Sequence, residues 1–289
     1  MDTNVSNKAK WGMLGFAIPV MIWTLLPLVW IFALSLKSDK ALTDTTGKEN
    51  TFGNFFPTNP SFENYELILK GGASDLFMPA LRNSIIVSLL ATVISVILAT
   101  FCAYAIARLD FPGKRLVLTV SLMVSMFPVI SLVTPLFNMW RTLGLYDTWV
   151  GLIIPYLSLT LPISIWTLAA FFRQIPWELD QAAQVDGATP LEAFRKVIVP
   201  LAAPGVFTTA IIAFFIAWND FVFGISLTST ETARTVPAAL AFFTGASQFE
   251  SPTGAISAAA IIVTIPIVIL VLAFQRQIVA GLTNGAVKG

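Results

Sequence analysis

The sequence predicts an all-α membrane protein with six transmembrane helices. Three observations predict it. Of the 289 residues, 56% are hydrophobic and only 11% are charged, against roughly 25% charged in a soluble globular chain. Mean hydropathy is +0.80. Uncharged apolar runs recur, each long enough for the roughly 20 residues that a spanning helix needs. With no water in the bilayer core, backbone groups must find partners within the segment. Runs of this length are therefore helices, since barrel strands use roughly 9–11 residues and alternate in polarity.

The first run, Trp11 to Leu36, follows Lys8 and Lys10. It exceeds the roughly 7–15 apolar residues of a cleavable signal, so a retained span is expected at 12–36. Further spans are expected near 83–107, 116–139, 148–172, 201–226 and 256–275. Pro19, Pro27, Pro128, Pro135, Pro155, Pro162 and Pro266 fall within or beside them. Kinks there are tolerated where neighbouring groups satisfy the freed carbonyls. The intervening segment 37–82 is polar and carries Gly47, Gly53, Pro57, Pro60, Gly71 and Gly72. It reads as loop with one short helix around Phe62–Leu69. There is no internal repeat, low-complexity tract or second domain, so residues 1–289 read as a single transmembrane domain.

Lys and Arg in short loops set the expected orientation. Arg108, Lys114 and Arg115 follow the second span, and Arg173, Arg195 and Lys196 follow the fourth. Arg276 and Lys288 lie in the C-terminal tail. The loops after spans three and five carry one cation each, Arg141 and Arg234. Segment 37–82 has five cations but also six acids. Both termini and loop 173–200 are expected in the cytoplasm, and segment 37–82 outside.

Composition also excludes functions. A net charge of +1 makes no case for nucleic acid. With no His and one cysteine, Cys102, the chain offers no zinc site, Cys–His nucleophile or internal disulfide. Cys102 reads as a small apolar packing residue. No Gly-x4-Gly-Lys-Ser/Thr phosphate loop occurs. The spans carry no ladder of acids or bases, which argues against an ion or proton pathway.

Loop 173–200 holds the most informative pattern. Trp177, Leu179, Ala182 and Ala183 make a short amphipathic helix with a small-residue face. Gly187 suits the left-handed position that ends a helix. Thr189, Pro190 and Glu192 then form an N-cap, N1 and N3 series that starts another. The product is a helix–Gly–helix elbow. On these grounds it is either an ordinary surface turn or a place where another protein approaches closely.

The spacing Gln181-Ala182-Ala183-x3-Gly187-x9-Val197-x-Val199-Pro200 resembles the Glu-Ala-Ala-x3-Gly-x9-Ile-x-Leu-Pro loop of binding-protein-dependent ABC importers. Gln181 replaces the family's Glu and removes its charge. Ala103–Lys114 resembles the end of the second span in sugar permeases, and Trp218-Asn219-Asp220 resembles their Trp-Asn-Asp/Glu signature. The end, Gly281–Gly289, is similar to the C-terminus of the second permease of maltose-type importers. Among these, the chain is similar to actinobacterial trehalose importers.

The resemblance implies a type I importer permease that catalyses no reaction, in a bacterial cytoplasmic membrane. It implies that Gln181, Ala182, Ala183, Asp186, Gly187, Ala188, Phe194 and Pro200 couple the chain to an ATPase. Partners would be a second permease, an ATPase dimer that uses ATP and Mg2+, and an extracellular sugar-binding protein or lipoprotein. This chain would bind no cofactor or metal, only membrane lipid and a carbohydrate such as trehalose or maltose. The rival classes are an autonomous secondary transporter or channel, and an assembly factor that only docks an ATPase.

Candidate substrate contacts are Trp218, Asn219, Asp220, Asn138, Ser158 and Ser164. No charged residue separates Lys196 from Asp220 or Asp220 from Glu231. An isolated carboxylate there faces protein or water, not lipid. Beside it Trp218 offers an apolar platform and Asn219 a donor and acceptor, the mixture that sugars require. The alternative is that Asn219 and Asp220 cap a helix break. Ser158, Thr160 and Ser164 surround Pro162 and either line a pathway or bond local carbonyls. Tail residues Thr283–Gly289 either contact the ATPase or fray.

Overall fold

A computed structural model describes residues 7–38, 57, 59–243 and 252–286. Within them the chain is helical throughout: α1 (Asn7–Ser35), α2 (Glu63–Leu69), α3 (Ser74–Arg108), α4 (Lys114–Ser125), α5 (Val129–Leu143), α6 (Trp149–Gln174), α7 (Glu178–Val185), α8 (Pro190–Ala193), a π-helical turn (Phe194–Ile198), α9 (Val199–Leu201), α10 (Ala203–Trp218), α11 (Val222–Leu227), α12 (Val236–Leu240) and α13 (Thr253–Ala286). Residues 39–56 of the expected outer loop and Val287–Gly289 of the tail lie outside the described residues.

Among the described residues, four helices are long and apolar enough to cross a membrane: α1, α3, α6 and α13. Two bent pairs raise the number to six if each is one span. The expected span 116–139 is one of them. The chain turns by 88° between α4 and α5. Pro128, with no N–H to give and an extended ψ of 114°, sits at the turn. The expected span 201–226 also differs. A 74° bend separates Pro190–Leu201 from α10, and α10 stops at Trp218. Segment 37–82 is shorter than expected, because α3 already starts at Ser74.

The described residues form two compact units. One contains α1, α2, the start of α3 as far as Met78, and α13 as far as Ile265. Here α2 finishes α1. Asn64 donates from Nδ2 to the carbonyls of Ser35 (3.0 Å) and Lys37 (2.7 Å), and the Ser35 and Tyr65 hydroxyls bond at 2.7 Å. Carbonyls at a helix C-terminus lack intrahelical donors, and Asn64 supplies two. Only 6% of the apolar window of α1 is buried within the chain.

The other unit contains Pro79–Ala241 and the rest of α13. Small residues run down one face of α3 at Ala91, Ser95, Ala99 and Ala103, all fully buried. Their four-residue spacing forms one stripe, which admits close helix contact. One apolar cluster gathers Val87, Trp140, Tyr156 and Phe223, and a second gathers Ala99, Phe172, Phe194 and Ile198. Prolines are handled locally. Pro155 cannot donate to the Gly151 carbonyl one turn earlier, and Trp140 Nε1 donates to that carbonyl instead at 2.6 Å. Gly205 on α10 meets α6 so closely that a Cβ would stand 2.4 Å from the Phe171 ring.

At one end of this unit, residues 228–236 are pinned from several sides. Asn83 Nδ2 donates to the carbonyls of Glu231 and Arg234, while Trp149 Nε1 donates to Asn83 Oδ1. Asp147, at φ 59°, accepts from the amides and hydroxyls of Ser229 and Thr230, the shortest bond being 2.6 Å to Thr230 Oγ1. Partial burial opposes charge on Asp147, but these hydrogen bonds outweigh it and hold the carboxyl below its usual value.

Two predictions follow from this packing. Gly205→Val should cost about 1–3 kcal/mol through overpacking and lower the melting temperature of the purified complex; an unchanged melting temperature would show that α6 and α10 are not in tight contact. Asp147 is lowered in the folded state, so its stabilisation is complete above the unfolded carboxylate value of ~3.9 and is lost as pH falls through the lower folded value. Melting temperatures of wild type and Asp147→Asn should differ at neutral pH and converge in acid. A constant gap at all pH values would refute this assignment.

Candidate functional site

The elbow forms as its residues dictate. Helix α7 ends at Val185, and Gly187 takes φ +90°, a conformation disfavoured for residues with a Cβ. The Ala188 amide returns to the Ala183 carbonyl at 3.0 Å. Thr189 then opens α8 with a complete capping box. The Glu192 amide donates to Thr189 Oγ1 (3.3 Å), and the Thr189 amide donates to Glu192 Oε2 (3.0 Å). Lys196 binds the same carboxylate at 2.9 Å.

The sequence-predicted coupling residues divide by burial. Gln181, Ala182, Asp186 and Gly187 are exposed, as is Pro200, while Ala183 and Ala188 are half-buried. Phe194 is buried, with its ring 4.5 Å from Tyr104 and 5.4 Å from Phe101 on α3. It seats the elbow on the rest of the chain. Two apolar residues that sequence reasoning passed over stand out into solvent, Val185 at 87% and Leu191 at 66% exposure. The exposed face thus mixes small and apolar residues with the polar Gln181 and Gln184 and the acidic Asp186.

A buried ion pair also escaped the sequence reading. Asp180 lies one residue before the motif, and its Oδ2 is 3.3 Å from Arg108 Nε at the end of α3. The two side chains are 2% and 5% exposed. Arg108 Nη2 donates to the Ile175 carbonyl at 2.7 Å, and its guanidinium lies 5.4 Å from the Trp177 ring centre. Tyr104 donates to Asp180 Oδ1 at 3.3 Å. The Nε–Oδ2 contact lacks hydrogen-bond geometry, so its attraction is electrostatic. Such a pair is a poor source of net stability, but breaking it strands a buried charge.

The substrate candidates do not converge. Trp218 is buried and stacked on Phe214 at 5.3 Å, with no partner for its Nε1. Asn219 is exposed and donates to the Phe215 carbonyl one turn back. Asp220 Oδ2 accepts from the amides of Phe223 (3.1 Å) and Gly224 (3.0 Å), two of the free donors in the first turn of α11. The break between α10 and α11 therefore has its own cap, and the capping alternative accounts for these bonds. Ser164 is buried against Ser95, with oxygens 3.3 Å apart. Ser158 donates to the Pro155 carbonyl at 2.6 Å, and Asn138 is exposed on α5. Among the described residues, no cluster of three or more His, Cys, Asp or Glu could hold a metal ion.

The sequence pattern of the binding-protein-dependent transport system inner membrane component matches residues 91–284. The chain belongs to this family. It is a multi-pass, non-catalytic membrane component of the inner membrane. It is 57% identical to the trehalose transport system permease protein SugB of Mycobacterium tuberculosis, over 93% of this chain and 94% of that protein. Identity to the trehalose/maltose transport system permease protein MalG of Thermococcus litoralis is 40%, over 94% and 95%. A crystal structure of a bacterial ABC transporter that imports alginate contains a chain of the same fold, at TM-score 0.74 and 22% identity, covering 94% of this chain and 98% of that one.

The cap generates a prediction. Asp220→Asn keeps an acceptor oxygen, whereas Asp220→Leu strands the Phe223 and Gly224 amides at roughly 1–3 kcal/mol for each buried unpaired group. Leucine should therefore lower complex yield and melting temperature much more than asparagine, with normal uptake per assembled Asp220→Asn complex. Reduced uptake per complex at preserved stability would place Asp220 on the translocation pathway.

Proposed function

We propose that this chain is the permease subunit of an ATP-driven importer for a disaccharide, trehalose in particular. It moves its substrate by alternating access and is driven through residues 176–200 by a separate ATPase. The elbow is the observation that carries the reading. Ala182, Val185, Gly187 and Leu191 offer an exposed surface of small and apolar side chains, with the polar Gln181 beside it, that a second protein can approach closely. Its frame is rigid, because both of its helix ends are capped from within. Identity of 57% to a trehalose permease supports the substrate.

In this reading both termini and the elbow face the cytoplasm, six spans cross the membrane, and a second permease completes the pore. An ATPase dimer binds ATP and Mg2+, and an extracellular binding protein delivers the sugar. Closure of the ATPase dimer draws the elbows together and rocks the spans. The absence of a phosphate-binding loop from the sequence and of an intramembrane charge ladder fits a subunit driven from outside itself.

The reading is tested by reconstituting the complex and measuring trehalose uptake and ATPase retention together. Gly187→Asp and Ala183→Arg add volume and charge to the elbow. Both should leave membrane insertion intact, reduce co-purifying ATPase and abolish uptake. Full ATPase retention with full uptake in both variants would exclude this elbow as the docking surface. ATPase activity that does not rise with trehalose-loaded binding protein in an intact wild-type complex would exclude the sugar assignment.

A further inference from the structure

Helix α3 is remote from the elbow in sequence, yet it holds both of the elbow's arms. Phe101, Tyr104 and Arg108 stand at i, i+3 and i+7, on one face of its last two turns. The two rings pack on Phe194 beyond Gly187, and Tyr104 and Arg108 grip Asp180 before it. Arg108 also touches the Ile175 carbonyl and the Trp177 ring. One guanidinium therefore joins the end of α3, the end of α6 and the start of α7.

We propose that the buried Arg108–Asp180 pair is the joint that delivers movement of the elbow to α3, with Arg108, Asp180 and Tyr104 as positioning residues for energy coupling. This rests on the elbow being the ATPase-docking surface. The covalent routes out of the elbow are not straight helices. The link from α6 to α7 is an extended Ile175 with Pro176 and Trp177, and the link to α10 bends by 74°. A bend can absorb a displacement. Two opposite charges shielded from water resist separation, since neither can be left alone. Helix α3 is continuous from this joint to Asn83, about 37 Å away at ~1.5 Å per residue. There the Asn83 amide holds the carbonyls of Glu231 and Arg234. A push on Asp180 is thereby felt at residues 231–234, at the far end of the same unit.

The test uses the full complex with both permeases, the ATPase and trehalose-loaded binding protein. ATPase retention, basal hydrolysis and stimulation by the loaded binding protein are measured per assembled complex. Arg108→Gln and Asp180→Asn each strand one buried charge and should reduce complex yield. The double variant should recover yield, because no lone charge remains, and it should retain ATPase at the wild-type level. Its stimulation should nevertheless be lost. Recovery of stimulation together with yield would make the pair merely structural and overturn the proposal. So would loss of ATPase from the double variant, since the pair would then shape the docking face. If the double variant does not assemble, Arg108→Lys decides the matter. It keeps the charge opposite Asp180, so stimulation should stay near the wild-type level, while those Arg108→Gln complexes that do assemble should lose stimulation at normal basal hydrolysis. Lost stimulation in Arg108→Lys, or wild-type stimulation in assembled Arg108→Gln complexes, would overturn the proposal. Failure of Gly187→Asp to release ATPase would instead count against the docking reading, so the two failures are distinguishable.

Discussion

A bilayer supplies no water to backbone groups, and this constraint governs where the helices of this chain stop and turn. Every interruption of a long apolar helix releases carbonyls or amides that need partners. At three of these interruptions one side chain from nearby in space meets the need. Asn64 takes two carbonyls at the end of α1, Trp140 takes the carbonyl released by Pro155, and Asp220 takes two amides at the start of α11. Polar residues in the apolar segments are thus largely engaged in backbone satisfaction. A substrate contact at any of them would have to share that work.

The elbow follows the same rule outside the spans. Its turn needs Gly187 in the left-handed region, and its second arm needs the Thr189–Glu192 capping box. Those demands are met within a few residues, so the elbow's shape is local. Its attachment is not local. Phe194, Asp180 and Trp177 reach across to α3, which itself runs the length of its unit along a stripe of small side chains. A surface that is stiff in itself and fastened to α3 and to the end of α6 is suited to moving as one piece.

Much of this was legible in the sequence because the signals are short-range. Apolar runs set the helices, and Thr189-Pro190-x-Glu192 set a helix start that the structure reproduces. The bend at Pro128 was not legible. Six other prolines beside or within the expected spans looked equivalent, and all six, Pro19, Pro27, Pro135, Pro155, Pro162 and Pro266, stay inside continuous helices. Which proline breaks a helix depends on tertiary partners. The Arg108–Asp180 pair was hidden for a related reason. Each residue reads as an ordinary charge at the edge of a loop, and only the fold brings them together. Val185 and Leu191 were missed because an apolar residue on a short amphipathic helix is expected to point inward.

Arg108 also has a history within each synthesised molecule. When α3 leaves the ribosome, Asp180 has not yet been made, since the whole of α6 lies between them. At that stage Arg108 is a bare cation beside an apolar helix, the kind of charge that influences which way a nascent segment is threaded into the membrane. Later the same charge disappears into a dry pocket with its partner. Counting it in the finished protein as a topogenic residue, or in the nascent chain as an ion-pair partner, assigns it the wrong job for the moment. A variant such as Arg108→Gln therefore acts twice, first on threading and then on the mature joint, and only pulse-chase topology mapping resolves the two.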